Sequence, residues 1–238
     1  PEPRAHHNTD LTVILDTGAH ACVAGYQWHA AAAERLAEQQ QLRLEVKDND
    51  LYQFGAGEPT RSMRAWLYPT CILGALGVCR IAELDNDCPA LLSIGLLQDA
   101  GIDFVFSRGV IRSSHTGVER PIEMDGGHIR EDILSYPEDT PKGTAYWHNS
   151  GTIERIAAAC RMTTEDVLKS LENARSDAAR AAERQHMLAL RGSMHPEDDP
   201  SDEESDPPPW EEIAAEVAAR CEERAADRRD RQPLRIWE

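Results

Sequence analysis

Positive charge and aromatic residues are both scarce in this 238-residue chain: 25 lysines and arginines face 42 aspartates and glutamates, for a net charge of −17, and aromatics make up 5%. A protein that grips a phosphate backbone or an anionic bilayer needs a cationic face, so neither nucleic acid nor membrane is expected as a partner. No stretch approaches the roughly 20 uninterrupted apolar residues of a membrane-spanning helix. The six cysteines, at 22, 71, 79, 88, 160 and 221, form no Cys-x-x-Cys pair. Structural zinc sites draw ligands from such pairs, so no metal is expected. Cys22, Cys71 and Cys79 fall in predicted strands as small buried hydrophobes, and the chain reads as reduced, intracellular and cytoplasmic. Its first ten residues lack an initiator methionine and an apolar secretory core, which suggests a piece of a longer polypeptide.

What is present is chemistry at one tetrapeptide, Asp16-Thr17-Gly18-Ala19, delivered by the apolar run Leu11 to Leu15. A strand ending in Asp-Thr-Gly can hold a carboxylate at the tip of a tight turn, because glycine lets the backbone fold sharply and approach closely. Downstream, Leu51 to Pro59 followed by Arg61 to Pro69 predicts a β-hairpin with a glycine-rich tip at Gly55-Ala56-Gly57. Then Ala90 to Gly101 reads as a short apolar strand, a helical turn and a glycine stop, and Ile102 to Phe106 alternates as a strand.

In that order the three pieces, over residues 11–113, resemble the retropepsin-like aspartic proteases of retroviruses and retrotransposons. The resemblance implies Asp16 as the catalytic carboxylate, Thr17 as a loop brace, and Gly18 and Ala19 as loop backbone near substrate. Phe54, Gly55, Ala56 and Gly57 would be the tip of a substrate-covering flap. Where retroviral enzymes carry two apolar residues and a glycine, this chain has Leu91-Leu92-Ser93, which resembles the copia branch of retrotransposon polyproteins. The implied activity is endopeptidase cleavage of a polypeptide without a cofactor.

Asp-Thr-Gly occurs once, and the nearest second candidate, Asp125-Gly126-Gly127, lacks the hydroxyl residue and follows no apolar strand. Two carboxylates held together share one proton and can act as acid and base on one water. With one per chain, the expected active form is a homodimer whose two-fold axis runs between two copies of Asp16. His20, directly after the tetrapeptide, is read as a loop residue or a substrate-side contact. A catalytically silent dimerisation or scaffold module is the rival reading, and nucleic-acid binding through 151–192 is a third.

The expected fold is mainly β: a single-lobe, retropepsin-like acid protease barrel that dimerises, followed by α-helical segments and a disordered acidic linker. The expected organisation is a tail (1–10), the protease domain (11–113), a linker (114–150), a helical segment (151–192), an acidic proline-rich linker (193–209) and an amphipathic helix (210–238). Within the domain, strands are predicted near 11–15, 22–24, 42–47, 50–54, 61–67, 70–74, 78–84, 102–106 and 109–113. A helix is predicted over about 27–41, and Gly74 to Gly77 reads as a hairpin turn. In 151–192, Ile153, Ile156, Ala157 and Cys160 recur at helical spacing, and Thr163 with Asp166 forms a capping-box start. Seven basic against six acidic residues there favour helical packing over DNA readout.

Overall fold

Asp16 leaves a strand that owes its place to partners far along the chain. The computed structural model describes residues 11–54, 57–62, 64–148, 152–193 and 235–237. In chain order the elements are β1 (Val13–Leu15), β2 (Val23–Gly25), α1 (Tyr26–Glu38), β3 (Leu44–Lys47), β4 (Leu51–Tyr52), β5 (Thr60–Arg61), β6 (Arg64–Ile72) and β7 (Ala75–Leu84). After these come β8 (Leu91–Leu92), α2 (Ile94–Asp99), β9 (Ile102–Val105), β10 (Val110–Ser113), β11 (Glu119–Pro121), β12 (Met124–Asp125) and β13 (His128–Glu131). The last are α3 (Thr144–Trp147), α4 (Thr152–Ala159), α5 (Thr164–Ser193) and β14 (Arg235–Trp237).

The main sheet runs β12-β13-β1-β8-β2-β7-β6-β3, with β14 paired to β7; β11-β10-β9 and β4-β5 form two smaller sheets. Mainly β architecture is therefore present, but the main sheet is open, with β12 and β3 at its ends, and the expected closed barrel is corrected. The reason lies in how the sheet is covered. Along β7, Cys79 and Ile81 point into one buried cluster with Trp28, Leu36, Leu96 and Leu97 of α1 and α2, while Val78, Ala82 and Leu84 point into another. That second cluster contains Tyr146, Trp147, Ile156, Ala157, Val167 and Leu171 from α3, α4 and α5. A sheet whose two faces are both covered by helices has no need to roll onto itself to bury apolar area. Trp28, fully buried, meets the Tyr68 ring edge-on at 5.3 Å between centroids, and each such buried large side chain contributes about 1.5–3 kcal/mol.

Three boundaries differ from expectation for local reasons. The β6–β7 turn is Leu73-Gly74, both at positive φ (46° and 80°), and Ile72 pairs with Ala75. This is the two-residue turn whose twist matches a hairpin, so β7 begins at Ala75 rather than after Gly77. The two strands expected at 61–67 and 70–74 are one, because Pro69 lies beyond the reach of β3, which covers only Arg64 to Leu67. Among the described residues no neighbouring strand there requires an N–H from position 69, and the Pro69 carbonyl accepts from the Tyr136 hydroxyl at 2.6 Å.

The expected linker 114–150 instead supplies β11, β12, β13 and α3, with β13 pairing antiparallel to β1 at Val13↔Glu131 and Ile14↔Arg130. Arg120 and Arg130 hold it in place by pairing with Glu131 and Asp125. At the C-terminus, residues 235–237 form a strand parallel to β7 at Gly77–Cys79 rather than the end of a helix. β2 spans only Val23–Gly25 and pairs with β7 at 82–84, which leaves that stretch of β7 backbone for another partner, and isoleucine and tryptophan suit a strand. The tail 1–10, the acidic linker from 194 to 209 and residues 210–234 lie outside the described residues.

By contact density the chain divides into Pro1–Ser176 with Pro233–Glu238, and Asp177–Gln232. Of the latter, the described residues 177–193 continue α5. Among the described residues, no helix is long and apolar enough to cross a membrane.

Candidate functional site

The Asp16 loop is stitched to one short segment, Ala90 to Ile94. β8 lies between β1 and β2, parallel to β1 at Ile14↔Leu91 and Leu15↔Leu92 and antiparallel to β2 at Val23↔Leu91. Backbone bonds extend that pairing: Ile14 N to Ala90 O at 2.7 Å, Asp16 N to Leu92 O at 3.1 Å, and Ile94 N to Ala19 O at 3.0 Å. Residues 16 and 19 are thereby held on either side of Ser93. Inside the turn, Gly18 N donates to Asp16 Oδ1 at 2.8 Å and Ala19 N to Asp16 O at 3.2 Å. Among the described residues Asp16 Oδ2 has no hydrogen-bond partner. Asp16 is half-buried, and Thr17, Gly18 and His20 are exposed. The turn is thus braced by its own carboxylate and backbone within one chain. A Cβ built on Gly18 would lie 3.3 Å from Asp16 Oδ1, so glycine keeps that carboxylate oxygen uncrowded.

Beneath the loop, Ser93 and Cys22 form a polar clasp. Ser93 Oγ caps α2 by accepting from Leu96 N at 3.3 Å, and Cys22 Sγ lies 3.4 Å from that hydroxyl and accepts from Ser93 N at 3.3 Å. A hydrogen bond from Cys79 is the main influence that brings the Cys22 thiol down to about 7, against burial that pushes it up. Burial, with the hydrogen bond to Cys22, pushes the Cys79 thiol well up.

Of the predicted hairpin only a short ribbon is present, β4 and β5, registered Leu51↔Arg61 and Tyr52↔Thr60; the rest of the expected returning strand, from Arg64, pairs with β3 and β7 instead. Phe54 is 39% exposed and its carbonyl accepts from Gly57 N at 3.0 Å; Gly55 and Ala56 lie outside the described residues. The hairpin root is tied to β7, where Asp48 pairs with Arg80 at 3.1 Å, and Tyr52 donates its hydroxyl to Asp48 at 2.9 Å. Burial pushes the Asp48 carboxyl up, but the Tyr52 hydroxyl, Arg80 and the Asp50 amide outweigh it and hold it below the usual range. Tyr52 in turn is pushed up to about 12 by burial and by the neighbouring carboxylate.

Asp125, the second acidic candidate, sits on β12 in an ion pair with Arg130 at 3.0 Å, so it is committed elsewhere. Among the described residues, no group of His, Cys, Asp and Glu is arranged to hold a metal ion. Among the described residues, the loop presents one half-buried carboxylate, Asp16, held by backbone bonds to 92–94.

Sequence reasoning missed Asp48, Arg80 and the Cys22–Ser93 clasp. Asp48 had a signal, since it continues the alternation of Leu44, Val46 and Asp48 on the inward side of β3, and an arginine inside the apolar run Val78 to Leu84 implies an acidic partner. No family model matches the chain, and no curated protein matches it.

Proposed function

We propose that the chain is an aspartic endopeptidase of retropepsin-like, retrotransposon type, active as a homodimer that joins two Asp16 loops. The observation that carries this reading is the Asp16 carboxylate at the tip of a glycine turn, fixed by bonds from Asp16 and Ala19 to the strand and helix start at 92–94. One such carboxylate is half of an acid–base pair. In the dimer the ionised Asp16 takes a proton from a bound water as it attacks the scissile carbonyl, and the protonated Asp16 of the other copy donates to the developing oxyanion. The hairpin 51–61 would cover an extended polypeptide, with Phe54 to Gly57 nearest to it. No cofactor enters the reaction. In this reading α4 and the start of α5 are packing elements, because Ile156, Ala157, Val167 and Leu171 are buried against the sheet.

The test is cleavage by the purified chain across acidic and neutral pH, with and without an aspartic-protease inhibitor, read by mass spectrometry of the fragments. Wild type is expected to cut best on the acidic side of neutrality, where the pair carries one proton. Asp16→Asn is expected to abolish cutting while sedimentation still reports a dimer. Retained cutting in Asp16→Asn, or a strictly monomeric active chain, overturns the proposal. A confirmed dimer inert at every pH favours the scaffold reading.

A further inference from the structure

Asp48 follows β3 with a side chain only 1% exposed, and it draws the root of the hairpin onto the sheet. Its Oδ1 meets Arg80 Nη2 of β7 at 3.1 Å and accepts the Asp50 amide at 3.3 Å, while its Oδ2 accepts the Tyr52 hydroxyl at 2.9 Å. Tyr52 ends the outgoing strand of the hairpin. On the returning side, Ser62 is fully buried; its amide donates to Asp50 O at 3.1 Å and its hydroxyl to Arg64 O at 2.6 Å. Arg61 adds bonds from Nη1 to the Asn49 carbonyl and side-chain oxygen at 2.7 and 3.1 Å. Both strands therefore leave the body of the protein around one carboxylate. Among the described residues β4 and β5 pair only with each other, and a two-stranded ribbon has little stability of its own, so its direction is decided at its root.

We infer that Asp48 is a positioning residue: through Arg80 and Tyr52 it fixes the direction in which hairpin 51–61 stands, and so the capture of a polypeptide between hairpin and Asp16 loop. The inference rests on the protease reading for its consequence, but the anchor itself does not. An ion pair with one buried partner suits this role because it is directional, and it is costly to break since the remaining charge is left without its partner. The cluster holds the hairpin's root and leaves the acid–base step to Asp16. Loosening it therefore acts on substrate capture and leaves the chemical step alone.

The experiment uses the full chain, with Tyr52→Phe, Asp48→Asn and Arg80→Lys. Tyr52→Phe removes one hydrogen bond and leaves the ion pair, so it remains informative even where Asp48→Asn fails to fold. Hydrogen exchange of peptides covering 51–61 is expected to quicken in Tyr52→Phe, and more in Asp48→Asn, with β6 and β7 unchanged. In peptide hydrolysis, KM is expected to rise about tenfold in Tyr52→Phe, the scale of losing a hydrogen bond to a charged group, while kcat stays within about twofold. Arg80→Lys keeps the charge and is expected to retain most of the hairpin protection that Asp48→Asn loses. Unchanged hairpin exchange in both Tyr52→Phe and Asp48→Asn overturns the inference, as does a loss confined to kcat. A wild type that hydrolyses nothing, with quickened hairpin exchange in the variants, overturns the protease reading and keeps the anchor.

Discussion

The Ser93 hydroxyl lies 3.4 Å from the Cys22 sulfur across a separation of 71 residues, and the Ser93 amide donates to the same sulfur at 3.3 Å. One residue thus caps α2 and clasps the far end of the Asp16 loop. Ser93→Ala keeps the backbone bonds but loses the cap to Leu96 and the hydroxyl contact with the thiol. We expect it to lower stability by about 1 kcal/mol, the usual cost of removing a serine cap. A lower urea midpoint at unchanged slope is the supporting result, and a midpoint within error of wild type counts against the clasp.

Cys22 owes its depressed pKa first to Cys79, so Cys79→Ala should return it upward from about 7 towards the ordinary 9.0. The folded value lies below the unfolded one, so this thiol's stabilising contribution is complete above pH 9, falls as pH drops towards 7 and is lost below it. Thiolate absorbance against pH, in wild type and variant, checks the shift. Superimposable titrations would remove Cys79 as its cause.

His29 gives a second pH dependence, from a closed chain of hydrogen bonds. Arg43 Nη1 donates to the Tyr68 hydroxyl at 2.9 Å, which directs the Tyr68 proton to His29 Nδ1 at 2.7 Å and leaves Nε2–H to donate to the Ala82 carbonyl at 3.3 Å. The imidazole is therefore neutral, and burial pushes it down to about 4. The unfolded chain binds its proton first, so stability is full above pH 6.5 and declines as pH falls from 6.5 towards 4, by on the order of 3 kcal/mol. His29→Gln should be less stable at neutral pH and show a flatter decline across that window in urea titrations. A parallel decline would place the titrating group elsewhere.

Gly25 is required by space rather than by backbone angle. Its φ is −71°, which alanine adopts freely, but a Cβ would stand 2.3 Å from Asn86 O and within 2.9 Å of Cys88 backbone atoms. Gly25→Ala is expected to cost about 3 kcal/mol, the upper end of overpacking, because backbone must move. Thermal unfolding reads it. Gly109→Ala, where nothing lies within 4 Å but φ is +63°, should cost about 1 kcal/mol from backbone conformation alone.

What was legible in the sequence was local. Asp16 to Ala19 forms the expected turn, Ala90 to Val105 the expected strand, helical turn and strand, and of the expected hairpin the pairing of Leu51–Tyr52 with Thr60–Arg61 is present. In each, period and glycine placement carry the information within a dozen residues. What was not legible depends on who sits beside whom. Pro69 looks like a strand break until β3 is known to stop short of it, and His128 to Glu131 looks like linker until β1 is known to need an outer partner. The alternation of β3 and the arginine within the apolar run of β7 each marked a buried charge, but which residue pairs with which depends on two strands that no local pattern connects.

The placement of β8 between β1 and β2 has a consequence in time. Among the described residues β1 has no hydrogen-bonded strand partner closer in sequence than Leu91, and its other neighbour begins at His128. During synthesis the tetrapeptide's strand waits for Leu91–Leu92 on one side and for Arg130–Glu131 on the other. Such distant pairings form late, after loop closure has been paid in entropy. A strand knitted in this way is completed only once both distant partners have been made, so the Asp16 loop takes its fixed form late in the synthesis of this segment.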